Sequence, residues 1–572
     1  MSSGNTPDTY VRTADDPNDE DWWKEAVIYQ IYPKSFNDTD GDGVGDIPGI
    51  RQKVDYLDDL GIDAVWLSPV YQSPQADNGY DISDYRAIDD QYGDLEDFEE
   101  LLAELHDRDI RLLMDLVVNH TSDEHEWFQR SRRGEEPYDD YYYWREGDPD
   151  QPPNNWDSIF GGSAWSYDDE RQAWYLHLFD EKQPDLNWRN PAVREDVYEM
   201  VRWWLDRGID GFRLDAVNLL SKAEGLPDGD PTDRITGQEH FFNGPEIHTY
   251  LGELHDRTVE RYDAVTVAEM GGITHEDALE YCGEDGDGVD MVFQFLWDGL
   301  GGDDDPEWEP MDWTLPELAS IVTDWQTGLA GEAWVAPVLE NHDQPRSVSW
   351  WGSEEYRRAS ATMLGTFLLT MRGTPFVYQG EELGMTNVEF DSLDELGDPS
   401  TKQRVENAIA DGDIGGFEDA RTVINLESRD HGRTPMQWTD GTNAGFTDGD
   451  PWLKVNEDYT EINVDRQRDD PASTLTYYRE LIDLRHENDV LVYGDFALHY
   501  PDHESVLAYT RTLGDDRALI VLNWADDPTT VAAPDGVAID DFELALANHR
   551  TAPATPGERL ALDPWEARVY LA

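Results

Sequence analysis

The chain has 572 residues, 125 of them acidic and 42 basic, for a formal net charge of −83 at pH 7. Acidic side chains run through nearly every segment, which excludes nucleic acid and anionic membrane surfaces as partners because both would be repelled. At 38% hydrophobic and 12% aromatic, with 22 Trp, the chain is too apolar for a disordered acidic tail and long enough for two or three folded domains.

Residues 1–20 read as an acidic lead without periodicity. They hold neither the basic nor the apolar stretch of an export leader, so the expected compartment is the cytoplasm. From residue 21 short apolar runs alternate with longer amphipathic stretches. Eight runs read as strands: 26–33, 64–69, 111–118, 211–216, 265–269, 291–296, 335–342 and 375–382. Most are continuously apolar, as in strands covered on both faces, and helical stretches such as 94–108 and 191–207 fall between them. The predicted fold is α/β, a (β/α)8 TIM barrel occupying 21–120 and 191–490. Residues 121–190, between the third and fourth strands, are dense in Trp, Tyr, Asn and Gly and too long for a plain connection, which predicts a small insert domain. A lone Cys282 excludes an internal disulfide. The longest apolar stretch, 361–371, falls short of the roughly 20 residues of a membrane span and reads as a buried helix. After the eighth strand, 391–451 is polar. From 491 to 572, short alternating strands such as SVLAYTRTL and ARVYLA predict a C-terminal antiparallel β-domain, a β-sandwich.

Single carboxylates say little in so acidic a chain, but βα loops at the C-terminal ends of barrel strands build active sites, and three carboxylates stand there. Asp215 closes GFRLD, with Arg213 two residues earlier and so on the same side of the strand. A buried guanidinium is expected to lower the Asp215 pKa and keep it ionised, as a nucleophile requires. Glu269 ends an apolar run, where desolvation is expected to raise its pKa toward that of a general acid. Asp343 follows His342 in ENHDQPR. A nucleophile, a proton donor and a third carboxylate are what a glycosidase with an oxocarbenium-like transition state needs; adjacent strands can hold the first two at the roughly 5–5.5 Å of a retaining mechanism. On composition and spacing alone, surface ion pairs stand as the alternative. Nearer the start, DTDGDGVGD (38–46) alternates Asp with Gly, so several carboxylates can face one hard cation. It is half an EF-hand, with Gly49 where a full one has a bidentate Glu.

The strings DLVVNH (115–120), QPDLNW (183–188), GFRLD (211–215), VAE (267–269) and ENHDQPR (340–346) resemble, in order and strand placement, the signature regions of the α-amylase family of glycoside hydrolases. The resemblance runs from about residue 22 to the C-terminus. DNGYDIS (77–83), SIFGGSAW and SRDHGRTPMQW look like the branch of oligo-1,6-glucosidases, α-glucosidases, dextran glucosidases and sucrose isomerases. Carried over by position, the resemblance implies Asp215 as nucleophile, Glu269 as general acid/base and Asp343 as transition-state stabiliser. It implies that His120 and His342 bond hydroxyls of the innermost glucose and that Arg213 positions the nucleophile. Asp77 with Arg433 and Arg429 would hold the terminal 4-hydroxyl and close the pocket, walled by Tyr80, Phe160 and Phe179. It further implies a structural Ca2+ or Mg2+ held by Asp38, Asp40, Asp42, the Val44 carbonyl and Asp46.

Ala216 follows the nucleophile directly, where members favouring α-1,6 bonds usually have Val. By resemblance the smaller side chain implies α-1,4 substrates such as maltose, with α-1,6 activity secondary, although the VNLLSK that follows looks like the isomaltase type. The expectation is an exo-acting retaining α-glucosidase acting on a small oligosaccharide. Two rivals stand beside it: a transglycosylase or sucrose isomerase sharing the covalent intermediate, and a non-catalytic scaffold or sugar-binding protein on the same fold. The charge adds a further expectation. Self-repulsion opposes compaction in dilute buffer, whereas molar salt cuts the screening length to about 3 Å. Folding is expected to depend on salt, as in a halophilic organism, with hydrated cations attending the acidic surface.

Overall fold

The structure is a computed structural model and describes residues 22–262, 264–283, 288–300 and 308–572; the expected acidic lead, 1–20, lies outside these. Eight parallel strands close into a barrel: β1 (Ile28–Ile31), β2 (Ala64–Leu67), β3 (Arg111–Val117), β4 (Gly211–Asp215), β5 (Val265–Ala268), β6 (Met291–Phe295), β7 (Val335–Val338) and β8 (Phe376–Tyr378), each beside its neighbour in chain order and β8 beside β1. All eight lie within the predicted runs. Their continuous apolar character follows from burial on both faces: every residue of β1, β2, β4, β5, β6, β7 and β8 is buried, and all of β3 but Arg111.

All eight strands are shorter than their predicted runs, β7 and β8 by the most at their C-terminal ends. β7 stops at Val338, not His342, because the chain turns there to present a loop in which Asn341 Oδ1 accepts from the Asp343 N–H at 2.7 Å. β8 stops at Tyr378, where Gly380 adopts φ 91° and starts a 3-10 turn, a conformation that costs glycine little. The helices between are set by ordinary local chemistry. Leu95–His106 opens on a capping box in which Asp94 and Asp97 satisfy each other's backbone N–H. Pro191–Leu205 opens on an Asn190 cap with proline in its first turn. The stretch 361–371 falls in helix Arg357–Thr370, buried from Ser360 onward. Among the described residues no helix is long and apolar enough to cross a membrane.

The insert after β3 builds a three-stranded antiparallel sheet from Trp144–Arg145, Ala173–Leu176 and Trp165–Asp168. Its apolar nucleus is not its own: Leu219, Leu226 and Phe241, from the chain following β4, pack with Trp156, Trp165 and Trp174 of the insert. The polar stretch 391–451, given no elements in advance, contains helices Pro399–Asp411 and Phe417–Glu427, which bury Val405 and Ile424 against Val388 and Phe390. At the C-terminus a helix fills Asp489–Tyr493, and the antiparallel sheet begins at β9 (Asp495–His499). It continues through β10 (Val506–Leu513), β11 (Asp516–Asn523), β12 (Glu543–Ala547) and β13 (Ala567–Leu571), in the order β9-β10-β11-β13-β12. A two-stranded pair, Thr529–Ala532 with Arg559–Leu562, covers one face over Val506, Leu519 and Val521.

Candidate active site

Parallel register decides which side chains meet at the top of the barrel. Asp115 on β3 pairs with Arg213 on β4, and the Glu269 N–H bonds the Leu214 carbonyl at 2.9 Å, so Glu269 stands beside Asp215. Side chains at paired positions of parallel strands project to the same side. The result is a buried cluster around one guanidinium. Arg213 Nη1 donates to Asp115 Oδ1 at 2.8 Å and to Asp215 Oδ1 at 2.5 Å, and Nη2 donates to Glu269 Oε2 at 2.5 Å.

The electrostatics depart from expectation at one position. Burial pushes Glu269 up to about 7 despite Arg213, as anticipated for an acid. Asp215 is also pushed up to about 7: burial outweighs Arg213, and Asp115 and Asp343 add to it. The anticipated depression of Asp215 fails because a single cation serves three carboxylates, with Asp115 itself pushed up to about 6 by burial. The securely ionised carboxylate is Asp343. Burial opposes its charge, but Arg429, His342 and Arg433 outweigh burial and hold the group well below the usual carboxylate range. Arg429 donates to Asp343 Oδ1 at 2.6 Å and Arg433 at 2.7 Å.

These groups border a cavity of about 310 Å³. Ten of the thirteen catalytic and sugar-binding positions singled out from sequence line it: Asp215, Glu269 and Asp343 together with Asp77, Tyr80, His120, Phe160, Phe179, Ala216 and Arg429. Arg213, His342 and Arg433 stand behind the wall. His342 Nδ1 accepts from Gln30 at 2.8 Å, which directs Nε2 to the Tyr80 hydroxyl at 2.6 Å. Both ring nitrogens of His342 thus have partners within the protein. Arg433, 1% exposed, donates from Nε to the His342 carbonyl and from Nη2 to Asp343, while Nη1 stands 3.6 Å from Asp398. At one end of the cavity Asp77 Oδ2 accepts from Gln183 at 3.0 Å, while its buried Oδ1 has no partner among the described residues. Burial, only partly offset by Arg429 and Arg433, pushes Asp77 up to about 6.

Both the catalytic part of the chain and its C-terminal domain match known families: residues 30–494 match the alpha amylase catalytic domain and 496–569 the maltogenic amylase C-terminal domain. The chain belongs to the alpha-amylase family of glycoside hydrolases. It is 48% identical over 558 residues to an oligo-1,6-glucosidase of Parageobacillus thermoglucosidasius, covering 96% of this chain and 98% of that protein. It is 46% identical over 564 residues to an alpha-glucosidase of Pediococcus pentosaceus, covering 96% and 98%. The crystal structure of isomaltulose synthase from Klebsiella sp. LX3 superposes with a TM-score of 0.92 at 44% identity, covering 96% of this chain and 99% of that one.

This alpha-amylase-family enzyme also places in its site residues to which sequence assigned no role. Asp115 is the third carboxylate on Arg213; its place in DLVVNH at a strand end was a usable signal. Gln183, between Asp77 and His120, lies in a motif that was seen but not assigned. Phe295, Trp297 and Asp298 line the cavity at the end of β6, and Phe242 does so from the chain following β4; no motif marked them. In the Asp-rich loop, Asp38, Asp40 and Asp42 bring oxygens within 4.8 Å of one another. Asp46 is not in that group: it caps helix Ile47–Arg51, accepting from the Gly49 N–H at 2.6 Å and the Thr39 N–H at 2.7 Å.

Proposed function

We propose that the enzyme is an exo-acting retaining α-glucosidase that releases glucose from the non-reducing ends of maltose and short α-glucans, with α-1,4 bonds favoured and α-1,6 bonds secondary. The observation that carries this assignment is the fork of Arg213 onto Asp215 and Glu269. Both carboxyls sit 2.5 Å from the two terminal nitrogens of one planar guanidinium, a span that admits the roughly 5–5.5 Å separation of a retaining pair. Asp215 attacks the anomeric carbon while Glu269, carrying a proton, gives it to the departing glycosidic oxygen. Glu269, now ionised, takes a proton from the water that hydrolyses the glycosyl ester. Asp343, kept anionic by Arg429 and Arg433, faces the positive charge that builds on the sugar ring in both steps.

Exo attack is supported at the Asp77 end. The free Oδ1 of Asp77 and the guanidinium of Arg429 are available to a terminal sugar hydroxyl, with Tyr80, Phe160 and Phe179 as apolar wall. His120, pushed down to about 4 by burial, is neutral and fit to bond a hydroxyl. Arg213 and Arg433 act as positioning residues, and His342 does so through Tyr80. The preference for α-1,4 bonds rests on Ala216, whose methyl is all that this position adds to the wall beside Glu269. Asp38, Asp40 and Asp42, an all-oxygen donor set, would hold a structural Ca2+ or Mg2+, with the Val44 carbonyl and Asp46 completing the loop. We place the enzyme in a salt-rich cytoplasm, its surface attended by hydrated cations.

Turnover of maltose, isomaltose and sucrose in molar KCl, with the anomeric form of the released glucose followed, tests the assignment. α-Glucose appears first, and fastest from maltose. Initial β-glucose contradicts retention. Isomaltulose or longer glucosides as the main product would favour the isomerase or transglycosylase chemistry suggested by the isomaltulose synthase likeness. Full turnover by Asp215→Ala would favour a non-catalytic scaffold.

A further inference from the structure

We infer that the C-terminal domain takes part in substrate selection, through a column of aromatic rings that ends on the leaving-group wall of the cavity. The column begins at Phe295, the last residue of β6. Glu269 stands at the end of the adjacent β5, and Asp77 follows β2, which lies opposite β6 in the closed barrel, so the wall on the β6 side meets the sugar that departs. Phe295 and Trp297 both line the cavity there, their rings 4.8 Å apart and 25° from parallel. Trp350 lies 5.8 Å beyond Trp297 at 32°, and Trp351 lies 4.6 Å beyond Trp350 at 29°.

Trp351 is where the column is anchored. It is 1% exposed, and its indole N–H donates to the Leu339 carbonyl at 3.3 Å. Trp524, which directly follows β11 in the C-terminal domain, donates its indole N–H to the Trp351 carbonyl at 2.7 Å. Trp313 wedges between the two, 5.2 Å from Trp351 and 6.4 Å from Trp524, edge to face with both. Trp297, by contrast, is only partly buried, and its indole N–H has no partner among the described residues. It is held by packing, between Phe295 on one side and Trp350 on the other and against the apolar core of the barrel. Aromatic pairs of this kind hold definite mutual geometries. A fixed Trp297 presents its ring to the departing sugar, on the side of the cavity opposite Asp77.

Trp350 and Trp524 are thus positioning residues that act through Trp297. They differ from mere fold-stabilising residues in that their loss discriminates between substrates with and without a leaving sugar. This role rests on the glucosidase assignment above, so the test compares maltose with α-glucosyl fluoride, whose leaving group needs no leaving-group wall. Trp350→Leu and Trp524→Ala are each expected to lower kcat/KM on maltose by about five- to tenfold, the size of one lost aromatic pair, and to leave kcat/KM on the fluoride unchanged. Trp350→Phe is expected to restore most of the maltose activity. Trp524→Phe keeps a ring in place and removes only the hydrogen bond to Trp351; it reads the same discrimination if the alanine variant fails to fold. Equal losses on both substrates, or no loss on maltose, overturn the inference. A wild-type enzyme inactive on both substrates would sink the glucosidase assignment instead.

Discussion

Asp115→Asn isolates the charge that holds Asp215 away from its ordinary pKa. Asp115 and Asp215 share one nitrogen of Arg213, at 2.8 and 2.5 Å, so the two carboxylates lie within about 5 Å of each other. At that distance and an effective dielectric of about 20, two unit charges repel by roughly 3 kcal/mol, or about two pKa units. Asp115 titrates below Asp215, at about 6, and so is mostly ionised where Asp215 ionises; the Arg213 nitrogen that both carboxylates share offsets part of the repulsion, which brings the expected shift to roughly one unit. The amide keeps an oxygen for Arg213 and a donor facing Tyr80, and it loses the acceptor for the Trp66 N–H. The sign follows directly. Attack needs Asp215 ionised, so a lower Asp215 pKa extends activity to lower pH; the alkaline limb, set by the proton on Glu269, moves less. The assay is kcat/KM on maltose against pH in molar KCl, which reports the free enzyme. The wild-type bell centres near 7, where Asp215 and Glu269 both titrate. In the variant its acid side widens by about one unit, whatever the height of the plateau. An acid limb that stays in place, or moves to higher pH, would refute the three-carboxylate account.

Ala216→Val narrows the wall beside Glu269 and is expected to lower the maltose-to-isomaltose ratio of kcat/KM by at least about tenfold, measured on purified sugars. Asp42→Asn, or a chelator with the wild type, is expected to lower Tm by a few degrees with little change in kcat, as for a structural cation that binds only the folded state; calorimetry with and without added Ca2+ or Mg2+ checks this. With a net charge of −83, helical circular dichroism and activity are both expected to fall as KCl is diluted from molar to millimolar and to return when it is restored.

Much of the barrel was legible because strands buried on both faces leave an unbroken apolar signature. β3 is such a case: its run 111–118 overshoots the strand by one residue. The strand ends were less legible where the chain stays buried but turns, as after Val338, since periodicity does not register a side-chain-capped turn. Asp215 and Glu269 were legible because each closes a barrel-strand run, and Asp343 because it follows such a run within ENHDQPR. The electrostatics of Asp215 were not. They depend on register between strands, which puts Asp115 of β3 level with Arg213 of β4, and pairing between distant segments leaves no mark on either one alone. The β6 side of the cavity was hidden for a similar reason: Phe295 and Trp297 read as core or surface aromatics until the barrel brings them beside Glu269.

The nucleus of the insert has a practical meaning for engineering. Leu219, Leu226 and Phe241 follow the nucleophile strand, yet they complete the packing of Trp156, Trp165 and Trp174. A chimera that exchanged 121–190 with another enzyme would carry over half of a hydrophobic joint and meet a mismatched other half. Grafts that move 121–190 and 216–246 as one unit would preserve that joint, and would also transplant the residue behind the nucleophile together with the surface it leans on.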